Sequence, residues 1–198
     1  MKTQITKLMA AALLIAASFN ANATDASSER SLKVSAKNSK AVVLQLGDLP
    51  TGTNITIWNA EGELLFRDNT NESEYAKVFN LKSLEEGEIY LEIESDNQLE
   101  ILPIEVTSTS AKIKRSAETI IEKPVVKQTE GAAKVYFGQN GSDMKVTLFD
   151  QRNDIVYRHN VADGTGSKTY DLSKLEAGAY KFQFSAKGRT FFHTVILN

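Results

Sequence analysis

Apolar and polar residues alternate with a period of two along most of this chain. Ile89, Leu91 and Ile93 alternate with Tyr90, Glu92 and Glu94, and Tyr180, Phe182 and Phe184 alternate with Lys181, Gln183 and Ser185. Alternation of this kind marks a strand with one face on a core and the other in water. β-Branched and aromatic runs separated by turn residues predict strands at 32–36, 41–46, 54–59, 63–67, 75–81, 87–94 and 99–106. The same set returns 91 positions later.

That offset runs without a gap from about residue 41 to 107 against 132 to 198. "LKSLEEGEIYL" at 81–91 is answered by "LSKLEAGAYKF" at 172–182, and Ile55-Thr56-Ile57-Trp58 by Val146-Thr147-Leu148-Phe149. Few letters are identical, but apolar character is kept position by position, which is duplication of a fold rather than of an active site. Seven short strands per copy predict an all-β chain of two tandem immunoglobulin-like antiparallel sandwiches. Hairpins are expected at "NAEGE" (59–63) and "DQRND" (150–154), where Gly62 and Asn153 suit a left-handed turn position. The repeated phrase reads as the corner leading into the sixth strand of each copy, with Leu84 and Leu175 plugging the end of the core and Gly87 and Gly178 bending the backbone. Tyr180 is placed to hydrogen-bond back across this corner, whereas its counterpart, Ile89, has no hydroxyl.

The N-terminal residues depart from this pattern. Lys2 and Lys7, an apolar or small run from Leu8 to Phe19, and Ala21-Asn22-Ala23 predict a secretory signal peptide over 1–23, cleaved before Thr24. The run is shorter than the roughly 20 residues a membrane helix needs, so no membrane span is expected. The organisation expected is therefore signal peptide 1–23, sandwich 31–107, linker 108–122 and sandwich 123–198. No cysteine is present, so the exported chain relies on burial and hydrogen bonding without disulfides. Without Lys2 and Lys7 the charge is 21 basic against 25 acidic residues, or −4, which argues against a nucleic-acid partner. Residues 31–107 hold 6 basic and 14 acidic side chains (−8), and residues 108–198 hold 14 and 9 (+5). Halves of opposite sign suggest docking within or between chains, or a basic half facing an acidic polysaccharide, although surface charge is a weak guide to partners.

Candidate chemistry is sparse. His193 falls on the inward parity of the last strand and is expected as a satisfied histidine at the core edge; His159 is expected at a strand end, with no metal-ligand spacing around it. "DNTNE" (68–72) and "DGTG" (163–166) fit neither a calcium loop nor a phosphate loop and are expected to be polar loop chemistry. No catalytic residue, metal site or cofactor is expected. Trp58, Tyr90 and Tyr136 fall on outward parity and are candidate surface contacts, in packing or against sugar rings; Phe149 repeats Trp58.

The second copy resembles a known family. "VTLFDQRNDIVYRH" and "YDLSKLEAGAYKFQFSAKGRTFFHTVILN" are similar to the C-terminal sorting domain of the type IX secretion system and to related immunoglobulin-like modules of exported proteins. Asp150, Asp171, Leu172, Leu175, Gly178 and Tyr180 carry the resemblance over 146–198, more loosely echoed in 55–107. It implies passage through the secretory translocon and then the type IX machinery, across both membranes of a Gram-negative cell, with removal of the last domain as an option; the location expected of the chain is exported, in the periplasm, at the cell surface or in the medium. The expected function is that of an exported, non-catalytic protein acting by surface contact with a protein or polysaccharide, with a carbohydrate-binding or adhesin-like module as the alternative and a hydrolase third.

Overall fold

A computed structural model describes residues 40–198 in full and the backbone of residues 32–36. The expected signal peptide, with Ala21, Ala23 and Thr24, lies outside the described residues. The described residues are all-β, built of antiparallel sheets, with a single 3₁₀ turn among them.

The strands of the first half are β1 (Leu32–Ala36), β2 (Ala41–Leu46), β3 (Thr53–Asn59), β4 (Leu64–Thr70), β5 (Tyr75–Asn80), β6 (Gly87–Glu94), β7 (Gln98–Val106) and β8 (Ala111–Ile113). After the 3₁₀ turn Arg115–Ala117 come β9 (Thr119–Glu122), β10 (Val125–Thr129), β11 (Ala132–Tyr136), β12 (Met144–Phe149), β13 (Ile155–Val161), β14 (Ser167–Asp171), β15 (Gly178–Ala186) and β16 (Arg189–Leu197). Contacts divide the chain into two compact units: the first runs to Asp96 and resumes at Glu100–Thr119, and the second comprises Asn97–Leu99 and Ile120–Asn198.

In the first unit a sheet ordered β1-β2-β5 and a sheet ordered β4-β3-β6-β7-β8 enclose one core. Val42 and Leu44 of β2 and Phe79 of β5 meet Ile55 and Ile57 of β3, Leu91 and Ile93 of β6 and Ile104 of β7. Burial alternates along β2 and β3, as the period of two requires; β2 is buried at Val42, Leu44 and Leu46 and partly exposed between them. The second unit repeats the plan with sheets β10-β11-β14 and β13-β12-β15-β16. Its core is more aromatic: Phe182, Phe184 and Tyr170 stand where Leu91, Ile93 and Phe79 stand in the first, with Phe182 and Phe184 stacked at 5.7 Å. Fully burying one such side chain contributes about 1.5–3 kcal/mol.

The duplication extends to irregularities. Both third-position hairpins break register at the same place, between Ile57 and Trp58 against β4 and between Leu148 and Phe149 against β13. A bulge adds twist and re-aims the residues beside it. Here it leaves Trp58 and Phe149 half-buried at the outer ends of their strands.

Three expectations change. The stretch 108–122, read as a linker, holds β8, which pairs with β7 through Ile104–Ile113, Glu105–Lys112 and Val106–Ala111, and also holds the 3₁₀ turn and β9. It contains neither Gly nor Pro, and nothing in its backbone opposes an extended conformation. His159 is not at a strand end, because β13 continues to Val161 and carries it onto the inner parity opposite Val146. His193 does face inward by register, opposite Phe182, yet it is exposed, because β16 is the edge strand of its sheet; its counterpart on β7, Leu102, is fully buried.

Candidate functional site

The residues that carry the sorting-domain resemblance make two structural devices in the second unit, a hairpin turn and a corner. At the turn, the main-chain N of Asp150 donates to the carbonyl of Asp154 and that of Asn153 to the carbonyl of Asp150. The Asp150 carboxylate then accepts from the main-chain N of Arg152 (2.8 Å) and of Asp154 (2.9 Å). These bonds, that from Asp154 foremost, hold its carboxyl below the usual carboxylate range. Asn153 occupies the left-handed position with φ 63°. The first unit builds the same turn with other letters: Asn59 accepts from the main-chain N of Glu63 at 2.7 Å, and Gly62 takes the left-handed position.

At the corner, Asp171 accepts from the hydroxyl and the main-chain N of Ser173, which lowers its carboxyl pKa. Leu172 donates its N–H to Gly131 O at 2.8 Å, and Leu175 donates to Leu172 O at 3.0 Å. Leu172 is buried, and Leu175 is partly buried against the same core. Tyr180 OH donates to Glu176 O at 3.0 Å, which is the bond expected from the sequence. Each main-chain bond has its twin in the first unit, Leu81 to Lys40 O at 2.7 Å and Leu84 to Leu81 O at 3.1 Å, but Ile89 leaves the hydroxyl bond unmade. Gly178 adopts φ 151°, and Gln151 leaves no room for a side chain there without moving aside.

The candidate surface aromatics differ in freedom. Trp58 donates its indole N–H to Glu92 (3.0 Å) and Thr56 (3.1 Å), and Tyr90 donates to Glu88 at 2.6 Å; both rings are half-buried on the outer face of the first unit. Tyr136 is exposed on β11, flanked by the ammonium groups of Lys127 and Lys134 at 5.5 and 5.0 Å from its ring. On the outer face of the second unit, Lys181 lies between the rings of Phe149 and Phe192 at 5.7 and 5.6 Å.

His159 packs among Tyr157, Tyr170 and the core. Its Nε2 is 3.2 Å from Tyr170 OH, and its Nδ1 is buried with no hydrogen-bond partner. Burial first, and the charge of Lys168 second, push its pKa below the ordinary value, so the neutral ring is favoured. Asp68 holds the same place in the first unit and is met by Lys77 and Tyr75 OH, each at 3.0 Å. Burial would raise this carboxyl, but the bonds from Lys77 and Tyr75 outweigh it and keep the pKa low. "DNTNE" therefore begins inside β4, while in "DGTG" the Asp163 carboxylate accepts from Asn140 N at 3.1 Å.

Sequence reasoning did not single out Asn140. It is buried, and its amide bridges the main chain of Glu122 in both directions, accepting from Glu122 N at 2.6 Å and donating to Glu122 O at 3.0 Å. The amide thus imitates a strand neighbour. Gln139 N donates to the Glu122 carboxylate at 2.9 Å, and a side chain at Gly138 would collide with Glu122. The glycine was the available signal; its partner, 16 positions away, was not legible.

Residues 129–198 match the family model of the secretion system C-terminal sorting domain, in agreement with the resemblance drawn from Asp150, Asp171 and Tyr180. No curated protein matches the chain. Among solved structures the chain is similar to the BSP domain of a biofilm-associated protein (16% identity, TM-score 0.31, covering 83% of this chain and 29% of that one). It is similar as well to the FN1–FN3 domains of chicken CNTN1 (10%, TM-score 0.31, 81% and 61%) and to a two-domain fibronectin type-III segment of chicken tenascin (10%, TM-score 0.31, 84% and 98%).

Proposed function

We propose that this is an exported, non-catalytic protein of two tandem immunoglobulin-like sandwiches, in which the second is the address read by the type IX secretion machinery and the first is a passenger that works by surface contact. The observation that carries this reading is the coincidence of the sorting-family match at 129–198 with a compact unit whose matched residues build its turn and its corner. A secretory signal peptide over 1–23 would supply the earlier step across the inner membrane. Absence of catalysis is part of the proposal. His159 is engaged with Tyr170, and His193 stands on a strand edge; neither has a nucleophile placed beside it by register.

The test is to express the full chain in a type IX-competent Gram-negative cell and in the same cell lacking the outer-membrane translocon. The chain should reach the surface or medium in the first and be held in the periplasm in the second. Equal distribution in both sinks the proposal. A glycan-binding role is the second reading, favoured by Tyr136, exposed between two lysines. Binding to a glycan array that is lost in Tyr136→Ala supports it, and no binding removes it.

A further inference from the structure

The two units differ most at one sheet edge. In the first, β7 is covered: β8 pairs along its outer side, with Lys114 N donating to Pro103 O at 2.9 Å. Its counterpart, β16, is the terminal strand of the order β13-β12-β15-β16. At one end of it, Gln128 imitates a neighbouring strand, accepting from Ile196 N at 3.2 Å while its amide N donates to Ile196 O. Those two bonds fix the direction of every main-chain group on β16. The pairing with β15 is unbroken from Arg189 to Leu197, so Thr194, Phe192 and Thr190, in step with Ile196, also turn their N–H and C=O groups away from β15.

This stretch carries none of the usual guards of an edge. Between Thr190 and Thr194 there is no Lys, no Pro and no register break, whereas the first unit has Pro103 at the position of Thr194. Phe192 is 60% exposed on the outer face. The outer-face letters also read the same in both directions, Thr190-x-Phe192-x-Thr194. A two-fold contact sets residue i against j and j against i, so about an axis at Phe192 aromatic would meet aromatic and threonine would meet threonine, both favourable cross-strand pairs. A second copy laid antiparallel with its axis at Phe192 would pair Thr190 with Thr194 of the other copy, Phe192 with Phe192, and Phe191 with His193. Every outward main-chain group from 190 to 194 would then be satisfied, and the Gln128 bonds at Ile196 would be left intact.

We infer that the β16 edge at Thr190–Thr194 is a self-association surface, through which two copies of this chain join their four-stranded sheets into one continuous antiparallel sheet. The occupant is a second copy because, in that register, the edge offers itself a Phe192–Phe192 pair and two Thr190–Thr194 pairs and opposes no like charges.

The decisive experiment uses the full chain, which has no cysteine of its own. In a hydrogen-bonded antiparallel pair opposed Cα atoms lie about 5.5 Å apart, inside the roughly 4.4–6.8 Å a disulfide spans. Phe192→Cys under mild oxidation should therefore give a covalent dimer, and Thr194→Cys alone should not, because Thr194 faces Thr190. Independently, sedimentation of the unmodified chain should show a monomer–dimer equilibrium. Phe192→Lys and Thr194→Pro should each raise the dissociation constant at least tenfold with an unchanged circular dichroism spectrum; the proline repeats what the first unit already carries. Should Thr194→Pro fail to fold, Phe192→Lys decides. A chain that stays monomeric at all concentrations, equal crosslinking at 192 and 194, or an open series of larger species pointing to head-to-tail contact between unlike units would each overturn the inference.

Discussion

The two units are one plan filled with two different sets of side chains, and what differs separates frame from ornament. The frame is the turn, the corner and the alternating core. Asn59 and Asp150 accept from the same main-chain positions, and Leu81 and Leu172 donate to Lys40 and Gly131, which are themselves 91 residues apart. The ornament is chemical. Leu91 and Ile93 become Phe182 and Phe184, Ile89 becomes Tyr180, the Asp68–Lys77 ion pair becomes His159 beside Lys168, and the outer-face Glu92 becomes Gln183. A fold needs the first set, and each unit is free to use the second.

The comparison can be broken most forcefully in the core. Phe182→Ala should destabilise the second unit by about 3–5 kcal/mol, since it empties a fully buried aromatic site. Calorimetry should show one transition moving down sharply while the transition of the first unit stays put. A single transition moving as a whole would mean that the units unfold together.

The corner gives a smaller effect. Tyr180→Phe removes one hydroxyl bond and should cost the second unit about 0.5–1.5 kcal/mol by urea denaturation. No equivalent substitution exists in the first unit, whose corner forms without a tyrosine, with Leu84 packed against the core and Lys40 Nζ donating to Leu84 O at 3.0 Å. If Tyr180→Phe abolished folding, the tyrosine would belong to the frame.

At the hairpin turns the two units should move in opposite directions when their letters are exchanged. Gly62→Asn should lower stability and Asn153→Gly should raise it, each by under about 1 kcal/mol, because a left-handed position strains any residue with a Cβ. Thermal midpoints of the two transitions would report both changes. Equal signs would show that the turns are not equivalent.

Acid should also separate the units. The folded state holds His159 below its ordinary 6.5 and therefore binds fewer protons than the unfolded chain. The second unit keeps its full stability above that value and loses some as pH falls through it. Asp68 is held below its ordinary 3.8, so its contribution to the first unit is complete above that value and fades only as pH falls through the lowered one. Melting curves between pH 7 and 5 should shift for the second unit and hardly for the first, and His159→Phe should flatten the shift. The groups facing His159 are Tyr157, Tyr170 and Lys168.

Strand positions, the duplicated corner and the Tyr180 bond were legible in the sequence because each rests on residues close together in the chain or on an alternation that one strand displays by itself. The predicted strands at 32–36, 41–46 and 87–94 coincide with β1, β2 and β6, and the others differ by a few residues at their ends. Contacts set by distant partners were not legible. Gln128 meets Ile196 across 68 positions, and Asn140 meets Glu122 across 18. A polar letter does not announce that it will stand in for a strand. His193 shows the same limit: its parity was readable, but its exposure depends on whether its strand has a second neighbour. The segment after β7 looked like a linker because three-residue strands such as β8 are too short to show alternation.

The contrast between Leu91 with Ile93 and Phe182 with Phe184 also bears on how the chain reaches its native state. Twin sequences in tandem can exchange strands while they fold, since their backbones would accept the same pairing. β15 inserted beside β3 would force two phenyl rings into space that fits a leucine and an isoleucine, and β6 inserted beside β12 would leave that volume empty. Either mistake carries a packing penalty from the moment the core begins to close. The difference in ring size thus works as a sorting rule within the chain, directing each strand to its own sandwich.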